Sequence, residues 1–439
     1  MFKSRLLLSL LLAVGATVAA ADGVKYVFLL IGDGFGENHA VLTENVAGRK
    51  LAMRRMPVHA RMGTENVSSG VTDSAASGTA IACGIKTYNG AIGVDNDKQP
   101  VESIAMKLQK QGFRIGLISS SPLTDATPAA FYAHQETRAM RKEIGRDLAA
   151  SGIPFVGGAG VHEKSTLDDL RQAGWDVIEG SNVLARVKSA GQTFVNRSPY
   201  TPWPGTTPES PTLAEYLAKA IERLDQPGGF FIMLENGRID YAGHANDAGM
   251  IWREVLAFEE AVEVALAFQA RRPSETLVIV TADHETGGLK LESPDPEKAQ
   301  LLRKQQSPLS DLRWAMEVLA VKLEGLEPDA VRRQRTSALV EALEKQLGLV
   351  FAADERPAVE QAIVQALDAG NPTEGLRKAV KLAAARRDAR TGIRFTTGGH
   401  TSSKVVTHAQ GPGAERFVEP LENCDLPRRI QAVVLPDQP

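Results

Sequence analysis

Five carboxylates and two imidazoles follow apolar runs that have the character of β-strands. Asp33 lies in "GDGFG" after Val24–Ile31, and Asp125 and Thr127 lie in "SPLTDATPAA" after Phe113–Ser120. Glu235, Asp240 and His244 lie in "ENGRIDYAGH" after Gly229–Leu234, and Asp283 and His284 lie in "ADHETGG" after Thr276–Thr281. In open α/β sheets, ligands bind at the carboxyl ends of the strands. So many anions at one edge would repel each other, and a cluster of Asp, Glu and His resolves this by binding metal cations. Taken singly, each residue has an ordinary explanation. Asp33 could serve the turn, Asp240 and His244 could be an i,i+4 pair on a helix surface, and His400 in "TTGGHTSS" is a lone histidine. Their shared placement carries the inference. His39, His59, His134, His162 and His408 lack acidic neighbours at useful spacing and read as structural.

A second stretch, "VTDSAASGTA" at 71–80, sets Asp73 and Ser74 before a run of small residues. Ser74 is either a nucleophile at the start of a helix or part of an ordinary cap, since Asp and Ser are both favoured there. The small residues would let that helix lie close to its neighbours.

The elements that must position these groups are legible in outline. Continuous apolar runs suit strands buried on both faces. Their alternation with helical patterns, such as Thr212–Leu224 and Met250–Arg271, predicts an α/β fold. The expected architecture is a three-layer α/β/α sandwich around a mainly parallel central sheet. Residues 296–390 differ. Leu312, Met316, Leu319 and Leu323 keep helical spacing, as do Leu339, Leu343 and Leu347, then Val359, Ile363 and Leu367. They predict a helical insert within the α/β domain, which itself spans 22–439.

The 439-residue chain has a net charge of −3 and no long basic run, so no nucleic-acid partner is expected. Residues 1–21 carry Lys3 and Arg5, an apolar stretch from Leu6 to Val14, then small residues ending at Ala20 and Ala21. This is the pattern of a signal peptide, and it predicts export to the periplasm or the medium. The apolar run is too short to span a membrane, so no membrane anchor is expected. Export permits a disulfide between Cys83 and Cys424, the two cysteines present; two free thiols are the alternative.

Together these motifs resemble the metal-dependent alkaline phosphatases. "VTDSAASGTA" is similar to the nucleophile motif, and "IGDGFG", "DATPAAFYAH", "EN…IDYAGH", "TADHETGG" and "GGHTS" are similar to the metal motifs, in the family's order. The resemblance implies hydrolysis of phosphate monoesters through a phosphoserine at Ser74. It implies one zinc on Asp240, His244 and His400, and a second on Asp33, Asp283 and His284. It further implies a magnesium on Asp33, Thr127 and Glu235, with Asp125 nearby, a phosphate clamp at Arg138, and a homodimer. Two zinc ions can hold an in-line displacement between them, and a planar guanidinium can grip two phosphate oxygens. Two features depart from the family pattern: Tyr241 stands where some members carry a basic residue, and the helical insert is longer than usual. A phosphodiesterase or sulfatase on the same sheet, or a non-enzymatic phosphate- or metal-binding protein, are the alternative readings.

Overall fold

The computed structural model describes residues 23–68, 70–188, 190–203, 206–292, 295–312, 316, 329–368 and 372–436. The expected signal peptide and the spacing at Leu319 and Leu323 lie outside the described residues. In chain order the strands are β1 (Tyr26–Gly32), β2 (Val58–Gly63), β3 (Arg114–Ser119), β4 (Phe155–Gly158), β5 (Asp176–Glu179), β6 (Thr193–Asn196) and β7 (Phe230–Asn236). They continue with β8 (Thr276–Ala282), β9 (Glu285–Thr286), β10 (Leu289–Leu291), β11 (Ile393–Phe395), β12 (His400–Thr401), β13 (Val405–Gln410) and β14 (Leu421–Glu422).

Ten strands form one sheet in the order β14-β2-β13-β8-β1-β7-β3-β4-β6-β5. At its centre β1 pairs in parallel with both β7 and β8, and all seven residues of each of these strands are buried. This explains why they read as unbroken apolar runs: neither face meets water, so nothing enforces alternation. Only β13 runs against the others, antiparallel to β8 and β2. One face is covered by helices 37–47, 213–224 and 248–271, and the other by helices 74–83, 104–110 and 426–434. Under the first layer, the rings of Tyr26, Phe28, Phe230 and Phe268 pack at centroid distances of 4.9 to 5.5 Å.

Two short antiparallel pairs leave the main sheet, β9 with β12 and β10 with β11. The first sets His400 opposite Thr286, although they are far apart in sequence. Between β10 and β11 the chain runs through helices Asp329–Leu347, Arg356–Asp368 and Pro372–Arg390. Leu339, Leu343, Leu347, Val359 and Ile363 join Leu312 and Met316 in an apolar cluster separate from the main core. A buried polar knot ties this cluster to the domain. Gln305 donates to Asp247 at 2.9 Å, Arg387 donates to Gln305, and Arg387 pairs with Asp388 at 2.7 Å.

Among the described residues no helix is long and apolar enough to cross a membrane. Both cysteines are free thiols, so the disulfide alternative does not hold in this structure. Burial pushes the Cys83 thiol up to about 12, which keeps it protonated and inert.

Candidate active site

Asp33 follows β1, Glu235 is the penultimate residue of β7, Asp283 follows β8, and Asp125 lies in the segment after β3. The carboxyl edge of the sheet therefore gathers the acids, as parallel strands must when each is followed by a turn to the same side. Gly34 shapes the first turn. Its φ is +71°, and a Cβ there would lie 2.8 Å from the Asp240 backbone. Glycine is required for that conformation and for the close approach of Asp33 to Asp240.

Ser74 is the first residue of helix Ser74–Cys83, and the Asp73 side chain caps that helix by accepting from Ala76 N at 2.9 Å. Cap and nucleophile are thus adjacent residues. All ten helix residues are buried, and a Cβ on Gly78 would come within 3.2 Å of Thr127 Cα. The small residues let this helix lie against the segment that carries Asp125 and Thr127.

Three histidines present the same face of the ring. The Nδ1 of His244 lies 2.7 Å from Gly398 O, and that of His400 lies 2.8 Å from Thr72 O. A carbonyl only accepts, so both Nδ1 atoms carry the proton. Thr286 Oγ1 donates to Asp240 Oδ1 at 2.6 Å and is 3.2 Å from His284 Nδ1, so it accepts from that nitrogen. Each Nε2 is therefore turned inward, and in the neutral imidazole it is a lone pair. His284 Nε2 lies 3.2 Å from Ser74 Oγ, 3.2 Å from Asp283 Oδ2 and 3.6 Å from Asp33 Oδ1. His244 Nε2 lies 3.3 Å from Asp240 Oδ2 and 3.2 Å from His400 Nε2. His400 Nε2 lies 3.6 Å from Asp240 Oδ1.

Two lone pairs facing each other at 3.2 Å repel unless a cation lies between or beside them. Asp283 Oδ2 and Thr127 Oγ1 are buried and have no hydrogen-bond partner. Ligand atoms of Asp33, Asp283 and His284 lie within 4.8 Å of one another, as do those of Asp240, His284 and His400. His284 belongs to both groups, and His244 flanks the second. This donor set fits metal ions.

The electrostatics agree. Burial, then Asp283, Asp240 and Glu235, push the Asp33 carboxyl well above its ordinary value. Burial pushes Glu235 up to about 7, even though Ser119 and Ser121 donate to it. Burial lowers the His284 imidazole, favouring the neutral ligand form. Burial would raise Asp240, but a hydrogen bond from His244 in its protonated form, the nearby His284 and the Thr286 hydroxyl outweigh it and hold it at about 2, and Asp240 in turn raises the His244 imidazole. A metal-free site therefore stores unfavourable charge. For Glu235, folding retains a proton that the unfolded chain releases above its ordinary 4.5, so stability is lost as pH rises from that value through about 7. In metal-stripped protein, Glu235→Gln should stabilise by about 2–3 kcal/mol more at pH 8 than at pH 5. Comparing denaturant midpoints at the two pH values checks this, and a gain that does not change with pH would refute it.

Arg138 contacts Asp125 at 2.7 Å and Asp73 at 3.5 Å. Partial burial opposes its charge, but these carboxylates hold it above its ordinary value. Tyr241, 3.5 Å from Asp125 through its hydroxyl, is raised by burial and by Asp125 and stays a neutral donor. The structure thus gathers Asp33, Ser74, Asp240, His244, Asp283, His284 and His400, and sets Asp125 against Arg138; Thr127 packs against the Ser74 helix with its hydroxyl buried and without a hydrogen-bond partner. Sequence reasoning did not find Thr286, Ser119 or Ser121. Thr286 had a usable signal: it lies two residues beyond His284, so in an extended segment it faces the same way.

Comparison with known proteins agrees. The family model for alkaline phosphatase matches residues 24–154 and 193–435. "Alkaline phosphatase 3" of Bacillus subtilis (strain 168) is 27% identical over 433 residues, covering 93% of this chain and 88% of that protein. The crystal structure of a cold-active alkaline phosphatase from Shewanella sp. superposes with a TM-score of 0.77 at 25% identity, covering 93% of this chain and 99% of that one. A histidine-to-aspartate variant of TAB5 alkaline phosphatase, with Mg bound in its M3 site, superposes with a TM-score of 0.65 at 26% identity over 94% and 98% of the two chains. The chain belongs to the alkaline phosphatase family, and it is a phosphomonoester hydrolase.

Proposed function

We propose that the protein hydrolyses phosphate monoesters through a phosphoserine at Ser74, with two zinc ions and one magnesium ion, after export from the cytoplasm. The observation that carries this reading is the set of three imidazoles, each with Nδ1 bonded to oxygen and Nε2 turned inward among carboxylates beside the Ser74 hydroxyl. Asp240, His244 and His400 would hold one zinc; Asp33, Asp283 and His284 the other. Asp33, Thr127 and Glu235 would hold magnesium, with Asp125 nearby. A relative of the same fold takes Mg at its M3 site when it carries an aspartate substitution, and the acidic Asp125 here leans the same way. Bound metal would supply charge neutralisation, a more acidic serine hydroxyl and a stabilised leaving oxygen.

The chain's own groups do the remaining work. Ser74 Oγ gives up its proton to solvent and forms a bond to phosphorus as the bond from phosphorus to the alcohol oxygen breaks, and the alcohol leaves with a proton from solvent. Water then takes the phosphoryl group, returning the Ser74 hydroxyl and inorganic phosphate. The free backbone N–H groups at the start of helix Ser74–Cys83 favour the oxyanions beside them. Arg138 is steadied by Asp73 and Asp125, and its remaining N–H donors serve the non-bridging oxygens. Acid quenching during turnover of a labelled monoester should leave label on the peptide that contains Ser74; label elsewhere, or none, would defeat the reading. N-terminal sequencing of the exported protein should begin at Ala21 or Asp22.

Arg138→Ala should lower kcat/KM by about 10- to 100-fold and weaken competitive inhibition by inorganic phosphate, with metal content retained. Loss of zinc from that variant would make Arg138 a structural residue instead.

A further inference from the structure

A cavity of about 510 Å³ lies beside the site, between the last helix of the insert and the turn after His244. Ala245 and Asn246 form one wall, and Lys381, Leu382 and Ala385 of helix Pro372–Arg390 form the other. The cavity touches both ligand-bearing loops. Asn246 donates to Thr397 O at 2.7 Å, three residues before His400, and Phe395 lies 3.1 Å from the Cβ position of Gly287, three residues after His284.

Four charged residues line this cavity: Glu292, Lys381, Asp388 and Arg394. Arg394 pairs with Glu292 at 2.6 Å, and Asp388 pairs with Arg387 at 2.7 Å. Lys381 makes no ion pair among the described residues. Its neighbours on the helix do: Arg377 and Lys378 both reach Glu374. Partial burial, with Arg377 nearby, lowers the Lys381 ammonium from its ordinary value, and the more distant Glu374, already engaged by Arg377 and Lys378, only partly offsets this. Its Nζ lies 3.9 Å from the Cβ position of Gly398, whose carbonyl accepts from His244. Gly398 is two residues from His400, a span of at most about 7 Å. The ammonium thus stands on the order of 10 Å from the His400 ring.

We propose that Lys381 is a specificity-determining residue, favouring phosphomonoesters whose alcohol portion carries a second anionic group. This rests on the phosphomonoesterase reading above. The phosphoryl end occupies the Ser74 site, and the cavity receives the alcohol portion along Leu382, Ala385 and Phe395. Its distal carboxylate or phosphate meets Lys381, the cavity's unpaired cation. The segment between His284 and His400 therefore shapes substrate choice by one side chain of its last helix. Excising the whole insert would be a poor test, because Arg387 and Gln305 anchor it to the domain through Asp247.

The test compares hexyl phosphate with the phosphate ester of 6-hydroxyhexanoate, which has similar length and a terminal carboxylate. In Lys381→Ala, the ratio of kcat/KM for the carboxylate ester over the hexyl ester should fall about five- to tenfold, chiefly through KM. Lys381→Glu should lower it further, Lys381→Arg should restore most of it, and raised salt should erase the wild-type preference. A ratio that is the same in wild type, Lys381→Ala and Lys381→Glu overturns the proposal. Ser74→Ala separates the two readings. If it hydrolyses both esters as fast as wild type, the underlying mechanism fails; if it is inactive while the ratio ignores Lys381, only the specificity role fails.

Discussion

Replacing Ser74 by alanine should reduce hydrolysis of a generic aryl phosphate by on the order of 10³-fold or more, because removing a nucleophile abolishes the covalent route and leaves only binding and electrostatics. The geometry makes this substitution clean. Ser74 Oγ contacts His284 Nε2 at 3.2 Å and Asp33 Oδ1 at 3.5 Å, and it does not cap the helix, a role taken by Asp73. Alanine is a good helix former at that position. The variant should therefore keep its thermal midpoint and its metal content while losing turnover. Measuring all three on one preparation is decisive. Activity within tenfold of wild type, with metals bound, would mean that Ser74 is an ordinary first-turn residue and that some other group attacks phosphorus.

Stripping metal with a chelator should bring hydrolysis to background and lower the thermal midpoint by about 5–10 °C, since a ligand bound only by the native state stabilises it by mass action. The acids explain why the loss should be large. Asp33 and Glu235 are buried and pushed upward, and Asp283 Oδ2 and Thr127 Oγ1 have no hydrogen-bond partner. Without cations these groups must hold protons or repel one another. Adding back zinc should restore most activity, and magnesium should add to it. Full activity in protein shown by elemental analysis to be metal-free would overturn the assignment of the imidazoles and carboxylates as ligands.

The central strands could be read from sequence because burial on both faces leaves an unbroken apolar run. The predicted Gly229–Leu234 and Thr276–Thr281 differ from the observed Phe230–Asn236 and Thr276–Ala282 only at their ends. Strands β4, β5 and β6 escaped notice. Each has four residues, too few to show a period against the loops around them. The reversed strand β13 is not among the predicted strands either, since its six residues, VVTHAQ, form no continuous apolar run.

What the sequence determined by itself was the inventory: which acids and imidazoles follow which strands, the serine before a run of small residues, and the helical spacing that marks Asp329–Leu347 and Arg356–Asp368. Those are local properties, set by spacing along the chain. Tertiary structure decided which oxygen each Nδ1 meets and therefore which nitrogen of His244, His284 and His400 faces inward. It also brought Thr286 against Asp240, set Arg138 between Asp73 and Asp125, and placed Lys381, which makes no ion pair among the described residues, in the cavity beside the site. Each of these joins residues from separate segments. Spacing along one strand or helix does not encode such contacts; the packing of the whole sheet does.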